Sequence, residues 1–131
     1  MKAKEIVKLI EGEVLAGEHL LDKVDIKRGF SADLMSDVLA LVECKNKDVV
    51  LITGITNSQI VRTAEMLDIP MIIVARGKLV PQDTIKLAEE NGIILVRTKH
   101  IVFVVSGILF QHGIEGAIVK GVKNKEERKS S

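Results

Sequence analysis

The fold of this chain is decided by residues 49–96, VVLITGITNSQIVRTAEMLDIPMIIVARGKLVPQDTIKLAEENGIILV. Three apolar runs lie in this stretch, over Val49–Thr53, Pro70–Ala75 and Ile93–Val96, and they start about 21 to 23 residues apart. Short, continuous runs rich in Val and Ile are typical of parallel strands that are buried on both faces. We therefore predict three parallel strands at the centre of a sheet.

The intervals between these runs have the periodicity of α-helices. Pro81 suits the first position of the second helix, and Asn91-Gly92 suits its end. Strands that alternate with helices indicate βαβ units with right-handed crossovers. The sequence therefore predicts an α/β fold with a mostly parallel sheet covered on both faces. The apolar residues at helical spacing are Ile60, Val61, Ala64 and Leu67 in the first interval and Ile85, Leu87 and Ala88 in the second.

Shorter elements precede the central region. Helical spacing of apolar residues predicts a first helix that Gly12 ends. Brief strands are predicted over Glu13–Ala16 and Val24–Phe30. Asp33 precedes another set of apolar residues at helical spacing, so its carboxylate is predicted to cap that helix.

The uncharged stretch 100–114 predicts one more helix. It holds no Lys, Arg, Asp or Glu, and Thr98 and Gly113 suit the cap and the stop of a buried helix. Its fifteen residues fall short of the roughly 18 to 20 that a membrane-spanning helix needs. We therefore expect a core helix and no membrane association.

Charge is spread unevenly along a chain whose formal net charge is +1. Residues 120–131 hold five basic and two acidic residues, so we expect a domain over residues 1–115 and an extension over 116–131. The extension is predicted to contain a last strand over Ala117–Val119 and a basic tail. A near-neutral charge, with three Phe and no Tyr or Trp, argues against nucleic-acid binding.

This sequence lacks the residues that several classes of enzyme require. The single cysteine, Cys44, excludes an intramolecular disulfide and a cysteine-based zinc cluster, and it is interpreted as a buried or incidental thiol. The three histidines share no metal-ligand spacing. No phosphate-binding loop has its required Lys and Ser or Thr. We therefore expect no cofactor and, without a signal-peptide pattern, a cytoplasmic location.

Polar side chains follow each of the three central strands. The carboxyl ends of parallel strands meet at one edge of a sheet, where ligands usually bind. Hydroxyls, helix amides and cationic side chains collected there suit an anion such as a phosphate or a carboxylate. The alternative is that Thr and Asn only cap helices and the charges are solvated. The candidate ligand-binding residues at this edge are Thr53, Thr56, Asn57, Arg76, Gly77, Arg97 and Thr98.

A second candidate cluster lies at the start of the helix after residue 33. Asp33 and Asp37 stand four residues apart with Ser31 nearby, and all three are candidate ligand-binding residues. A carboxylate pair can share a proton or hold Mg²⁺, so the alternative function is a small metal- or acid–base-dependent enzyme acting on an anion held by Arg76 and Arg97. The simpler interpretation is a helix cap with acids that the helix dipole favours.

Three segments resemble the DRTGG domain family: RGFSADLMSDVLA (28–40), VLITGITNSQIV (50–61) and IPMIIVARGKLVPQDTIKLAEENGIILVRTKH (69–100). The third is also similar to the N-terminal domain of HPr kinase/phosphorylase, in its order of strand, Arg-Gly, Pro, helix, Gly, strand and Arg-Thr. The resemblance implies a three-layer α/β/α domain. The positions that match the pattern are Gly29, Ser31, Asp33, Ser36, Asp37, Thr56 and Gly77.

The resemblance also implies a regulatory role, because DRTGG domains occur alone or joined to CBS-pair and phosphotransacetylase-type domains. The chain ends where HPr kinase would begin its catalytic domain, so kinase activity is not carried over. We therefore predict a non-catalytic regulatory module that forms a homodimer or higher homo-oligomer. It is expected to bind a small anionic metabolite or nucleotide and to act on a regulated partner protein.

Overall fold

One six-stranded sheet organises residues 1–43 and 45–120, the part of the chain that the computed structural model describes. Five α-helices pack against this sheet. The elements are α1 Ala3–Leu9, β1 Glu13–Ala16, β2 Arg28–Ser31, α2 Met35–Leu41, β3 Val49–Thr53, α3 Gln59–Met66, β4 Met71–Val74, α4 Gln82–Glu90, β5 Ile94–Arg97, α5 Val102–Gln111 and β6 Glu115–Gly116.

The strand order is β1-β5-β4-β3-β2-β6. The strands β2 to β6 are parallel, and β1 runs antiparallel to β5 at one edge. The predicted α/β class and the mostly parallel sheet are therefore confirmed.

The connections assign the helices to two faces. The chain steps in one direction from β2 through β3 and β4 to β5, then returns across the sheet to β6. Because parallel crossovers are right-handed, the reversal of direction places α5 on the opposite face from α2, α3 and α4. The two cores agree: one contains residues of α2, α3 and α4, and the other residues of α1 and α5. The fold has three layers, α/β/α.

Residues of the central strands alternate between these two cores. In β4, Ile72 belongs to the core under α2, α3 and α4, whereas Ile73 belongs to the core under α1 and α5. In β3, Leu51 and Ile52 divide in the same way. Successive side chains of a strand point to opposite faces, so a sheet covered on both sides requires the unbroken apolar runs seen in the sequence.

Two strand predictions were wrong in their bounds. The strand predicted over Val24–Phe30 begins only at Arg28, because the preceding residues pack against the N-terminus. There the N-terminal amine donates a 2.9 Å hydrogen bond to Asp25, and this bond, with the charge of the amine, lowers the pKa of the Asp25 carboxyl. Among the described residues the last strand is β6 rather than Ala117–Val119, of which Val119 makes only an isolated bridge to Val42.

Some predictions fall outside the described residues. They concern the thiol of Cys44 and the tail beyond Lys120. The division into residues 1–115 and 116–131 stays a prediction.

In residues 1–43 and 45–120, every helix is too short or too polar to cross a membrane.

Candidate functional site

The exits of three parallel strands lie side by side at one edge of the sheet. In the strand register, Val74 pairs with Thr53 on one side and with Arg97 on the other. Neighbouring strands lie about 4.8 Å apart, so the loops after β3, β4 and β5 leave the sheet within about 10 Å of one another. The three strand exits therefore share one edge of the sheet, as the sequence predicts.

The loops after β4 and β5 leave toward opposite faces, since α4 and α5 lie in different layers. Such a point is where ligands bind in many open α/β sheets. Here the two loops are joined. The Arg76 amide donates to the His100 carbonyl and the Gly77 amide donates to the Thr98 carbonyl, both at 2.8 Å. The edge is therefore a bridged surface rather than a deep crevice between these strands.

Asp33, Gly54 and Arg76 meet at the exit of β3, and we call them the Asp33–Gly54–Arg76 cluster. Asp33 Oδ1 accepts hydrogen bonds from the Gly54 amide at 2.6 Å and from Thr53 Oγ1 at 3.2 Å. A Cβ built on the buried Gly54 would lie 3.3 Å from Arg76 Nη2 and 3.4 Å from Asp33 Oδ1. The glycine therefore lets a carboxylate and a guanidinium approach the same point of the backbone.

The prediction that Asp33 caps α2 was wrong. The helix begins at Met35 with Leu34 as its N-cap residue, and no side chain caps it. The carboxylate of Asp33 is held instead by the Gly54 amide on the neighbouring strand exit. The hydrogen bond to Gly54 takes the place of the local helix cap. It could not be predicted from the sequence pattern, because Gly54 lies 21 residues from Asp33.

Arg76 has a strained backbone and a free head group. Its φ of 66° is followed by a φ of 64° at Gly77. A left-handed non-glycine residue stores strain that often marks a functional position. Within residues 1–43 and 45–120, the Arg76 guanidinium forms no ion pair. Its five N–H donors are thus available at the surface beside Gly54.

The loop after β3 is held by its own polar side chains. Thr53 Oγ1 accepts from the Ile55 amide at 3.1 Å, and Asn57 Oδ1 accepts from the Gln59 amide at 3.0 Å. The buried Thr84 donates to the Thr56 carbonyl at 3.0 Å. The amides of residues 56–58 have no hydrogen-bond partner among the described residues. These amides precede α3, where the helix dipole favours negative charge.

Arg97 and Thr98 are engaged by the N-terminal part of the chain. Nη2 of Arg97 donates to both carboxylate oxygens of Glu13, at 2.9 and 3.1 Å. Thr98 is buried and its Oγ1 donates to the Ile10 carbonyl at 2.7 Å. The prediction that Thr98 caps α5 was wrong, because α5 begins at Val102 with Ile101 as its N-cap residue. Their ligand-binding role stays a prediction.

The second candidate cluster does not have the helix geometry that was predicted for it. Asp33 precedes α2 and Asp37 lies exposed in its first turn, so the two carboxylates do not share a helix face. Ser31 pairs its hydroxyl with that of Ser106 on α5, at 2.7 Å. Ser31 lines a small cleft of about 110 Å³ between β2, β6 and α5. Across the described part of the chain, no three His, Cys, Asp or Glu side chains are grouped to hold a metal ion.

Replacing Thr98 with valine is expected to lower the free energy of unfolding by about 1 to 3 kcal/mol, because the buried Ile10 carbonyl loses its donor. Thr63 provides the matched control: it is equally buried, but its hydroxyl has no hydrogen-bond partner in the part of the chain that the structure describes. Thr63→Val is therefore expected to be neutral or stabilising. Urea unfolding of both variants measures the difference, and equal losses would contradict the assigned Thr98 bond.

Comparisons with known proteins find a similar fold in a solved structure. No protein-family model and no curated protein sequence matches the chain. Its structure is similar to the CBS and DRTGG domains of the regulatory region of the Clostridium perfringens pyrophosphatase, solved in complex with its activator, diadenosine tetraphosphate. The TM-score is 0.65 at 18% sequence identity, over 98% of this chain and 58% of that chain.

The likeness confirms the fold that the DRTGG resemblance implied. The chain has a DRTGG-like, three-layer α/β/α fold. It spans only 58% of the length of the protein that it matches.

Proposed function

We propose that this chain is a non-catalytic regulatory module that binds a small anionic metabolite or nucleotide at the Asp33–Gly54–Arg76 cluster. The observation that carries the proposal is the free Arg76 guanidinium, which lies beside Gly54 at the exit of β3. The nucleotide activator bound by the regulatory region of the Clostridium pyrophosphatase supports this class of ligand.

The chemistry of the cluster suits a phosphate group. A guanidinium donates two parallel hydrogen bonds to phosphate oxygens, and such charge-assisted bonds are strong. The unpartnered amides of residues 56–58 lie on the loop that follows Gly54. Lys78 and Lys99 are exposed on the two bridged loops and add positive charge next to Arg76. Asp33 positions the Gly54 backbone and remains a hydrogen-bond acceptor for a ribose hydroxyl.

The wider role follows from the same proposal. The module acts in the cytoplasm, forms a homodimer or higher homo-oligomer, and transmits ligand binding to a regulated partner protein. The exposed apolar surface of α5 supports self-association. The enzyme alternative has weaker support, because Arg97 is paired with Glu13 and the Asp33 and Asp37 carboxylates do not share a helix face.

Calorimetric titration with inorganic phosphate, ATP and diadenosine tetraphosphate tests ligand binding. We expect saturable binding of at least one of them, and about 10- to 100-fold weaker binding by Arg76→Ala, since a bond to a charged group contributes about 1.5 to 3 kcal/mol. Lys86→Ala, on the exposed surface of α4, removes the same charge away from the cluster and is expected to keep the affinity. Absence of binding by all three compounds, or unchanged affinity of Arg76→Ala, would refute the site.

A further inference from the structure

Apart from Gln111, the outward surface of α5 is apolar, unlike the outward surfaces of α3 and α4. Phe103 and Phe110 are 82% and 75% exposed. The opposite side of the helix buries Val105 and Leu109 in the core. A helix on the surface of a globular protein normally presents polar residues to water, so this side of α5 indicates a contact that residues 1–43 and 45–120 do not provide.

Gly107 lies at the centre of that outward surface. It is four residues after Phe103 and three before Phe110, so the three residues share one side of the helix. A Cβ built on Gly107 meets no atom of the described residues within 4 Å, so their packing does not require glycine there. Glycine weakens a helix interior relative to alanine. Because residue 107 has no side chain, the surface between Phe103 and Phe110 has an open space. We call this space the hole over Gly107, and it can receive a side chain of another molecule.

We propose that the α5 face, defined as Ile101, Phe103, Val104, Gly107 and Phe110, is the two-fold interface of a homodimer. In this dimer, the hole over Gly107 of each copy receives a phenylalanine ring of the other. The inference rests on the self-association in the proposed function and names the surface that carries it.

The charge pattern favours a second copy as the occupant. In a two-fold interface the same patch meets itself, so any charge near its centre would face an identical charge. The α5 face lies within residues 100–114, which hold no Lys, Arg, Asp or Glu. A helix that binds a lipid surface would instead carry Lys and Arg beside its apolar side.

The area suits a reversible dimer. A phenylalanine side chain supplies about 150 to 250 Å² when it is fully buried. With the exposed parts of Ile101 and Val104, the α5 face offers about 400 Å² per copy, or about 800 Å² for the pair. This is at the low end of interfaces between proteins, where weak and transient complexes lie.

Sedimentation velocity over a concentration series tests the interface through residue 107. We expect the wild-type chain to dimerise reversibly, and Gly107→Glu and Gly107→Lys each to dimerise about 100-fold more weakly or worse, because like charges then face each other. An equimolar mixture of the two variants is expected to recover dimer, since opposite charges meet across the two-fold axis. Recovery of this kind requires residue 107 of one copy to lie near residue 107 of the other.

Met66 provides the control. It is 70% exposed on α3, in the opposite layer, so Met66→Glu is expected to dimerise like the wild type. A dimer that both Gly107 variants retain would overturn the α5 interface and leave self-association standing. A wild-type chain that stays monomeric would overturn both, while the calorimetric titration of ligand binding reports on the anion site independently. Binding of the monomer to anionic phospholipid vesicles would assign the α5 face to a membrane surface instead.

Discussion

Gly17→Ala is expected to lower the free energy of unfolding by about 3 kcal/mol, through left-handed strain and overpacking together. Gly17 has a φ of 76°, which an L-residue with a Cβ adopts only with strain. A Cβ there would lie 2.8 Å from Ile94 Cα and 2.9 Å from the Ile93 carbonyl oxygen. Both contacts are with backbone at the start of β5, which cannot move aside as a flexible side chain can.

Gly92→Ala is the matched control for this effect. Gly92 has a similar φ of 66°, but a Cβ there meets no atom within 4 Å. The strain is then the main contribution, and a loss of about 1 kcal/mol is expected. Urea unfolding followed by circular dichroism measures both variants. Equal losses would mean that the turn after β1 does not press against β5.

The second large effect is expected at two adjacent residues of β4. Ile72→Ala and Ile73→Ala are each expected to lower the free energy of unfolding by about 2 to 5 kcal/mol. Both side chains are fully buried, and they belong to the two different cores. In a sheet covered on one face, only one of two neighbours in a strand would matter.

The same unfolding experiment includes Leu79→Ala. Leu79 is 84% exposed in the loop after β4, so its loss of stability is expected to stay within about 0.5 kcal/mol. If either isoleucine variant behaved like Leu79→Ala, the layer on that side of the sheet would not be packed as described.

The central strands and helices could be predicted because a strand that is buried on both faces has a continuous apolar run in the sequence. Every residue of β3 and β4 is buried, so the runs Val49–Thr53 and Met71–Val74 are continuously apolar or nearly so. The apolar pattern of β2 is weaker. Its residues are only half-buried or exposed, and the apolar Val24 and Ile26 just before it pack around α1 instead. The sequence pattern alone does not distinguish apolar residues that form a strand from apolar residues that pack around α1.

The candidate site was predictable only as an edge of the sheet. Parallel strands bring their exits together whatever their side chains, which is why the loops after β3, β4 and β5 could be grouped from their spacing. The partners of Arg97 and Thr98 could not be predicted, because Glu13 and Ile10 are 84 and 88 residues away in sequence. They reach the edge only because β1 lies antiparallel beside β5. A local motif carries no information about such a distant neighbour.

The late return of the chain to β6 has a consequence during protein synthesis. Until residues 115 and 116 leave the ribosome, the outer edge of β2 offers unpaired amide and carbonyl groups, and such edges recruit strands from other chains. A nascent chain that stalls after β5 therefore carries a finished β1–β5–β4–β3–β2 sheet with one open side, the outer edge of β2. That edge is paired only when β6 is made, although β6 is only two residues long.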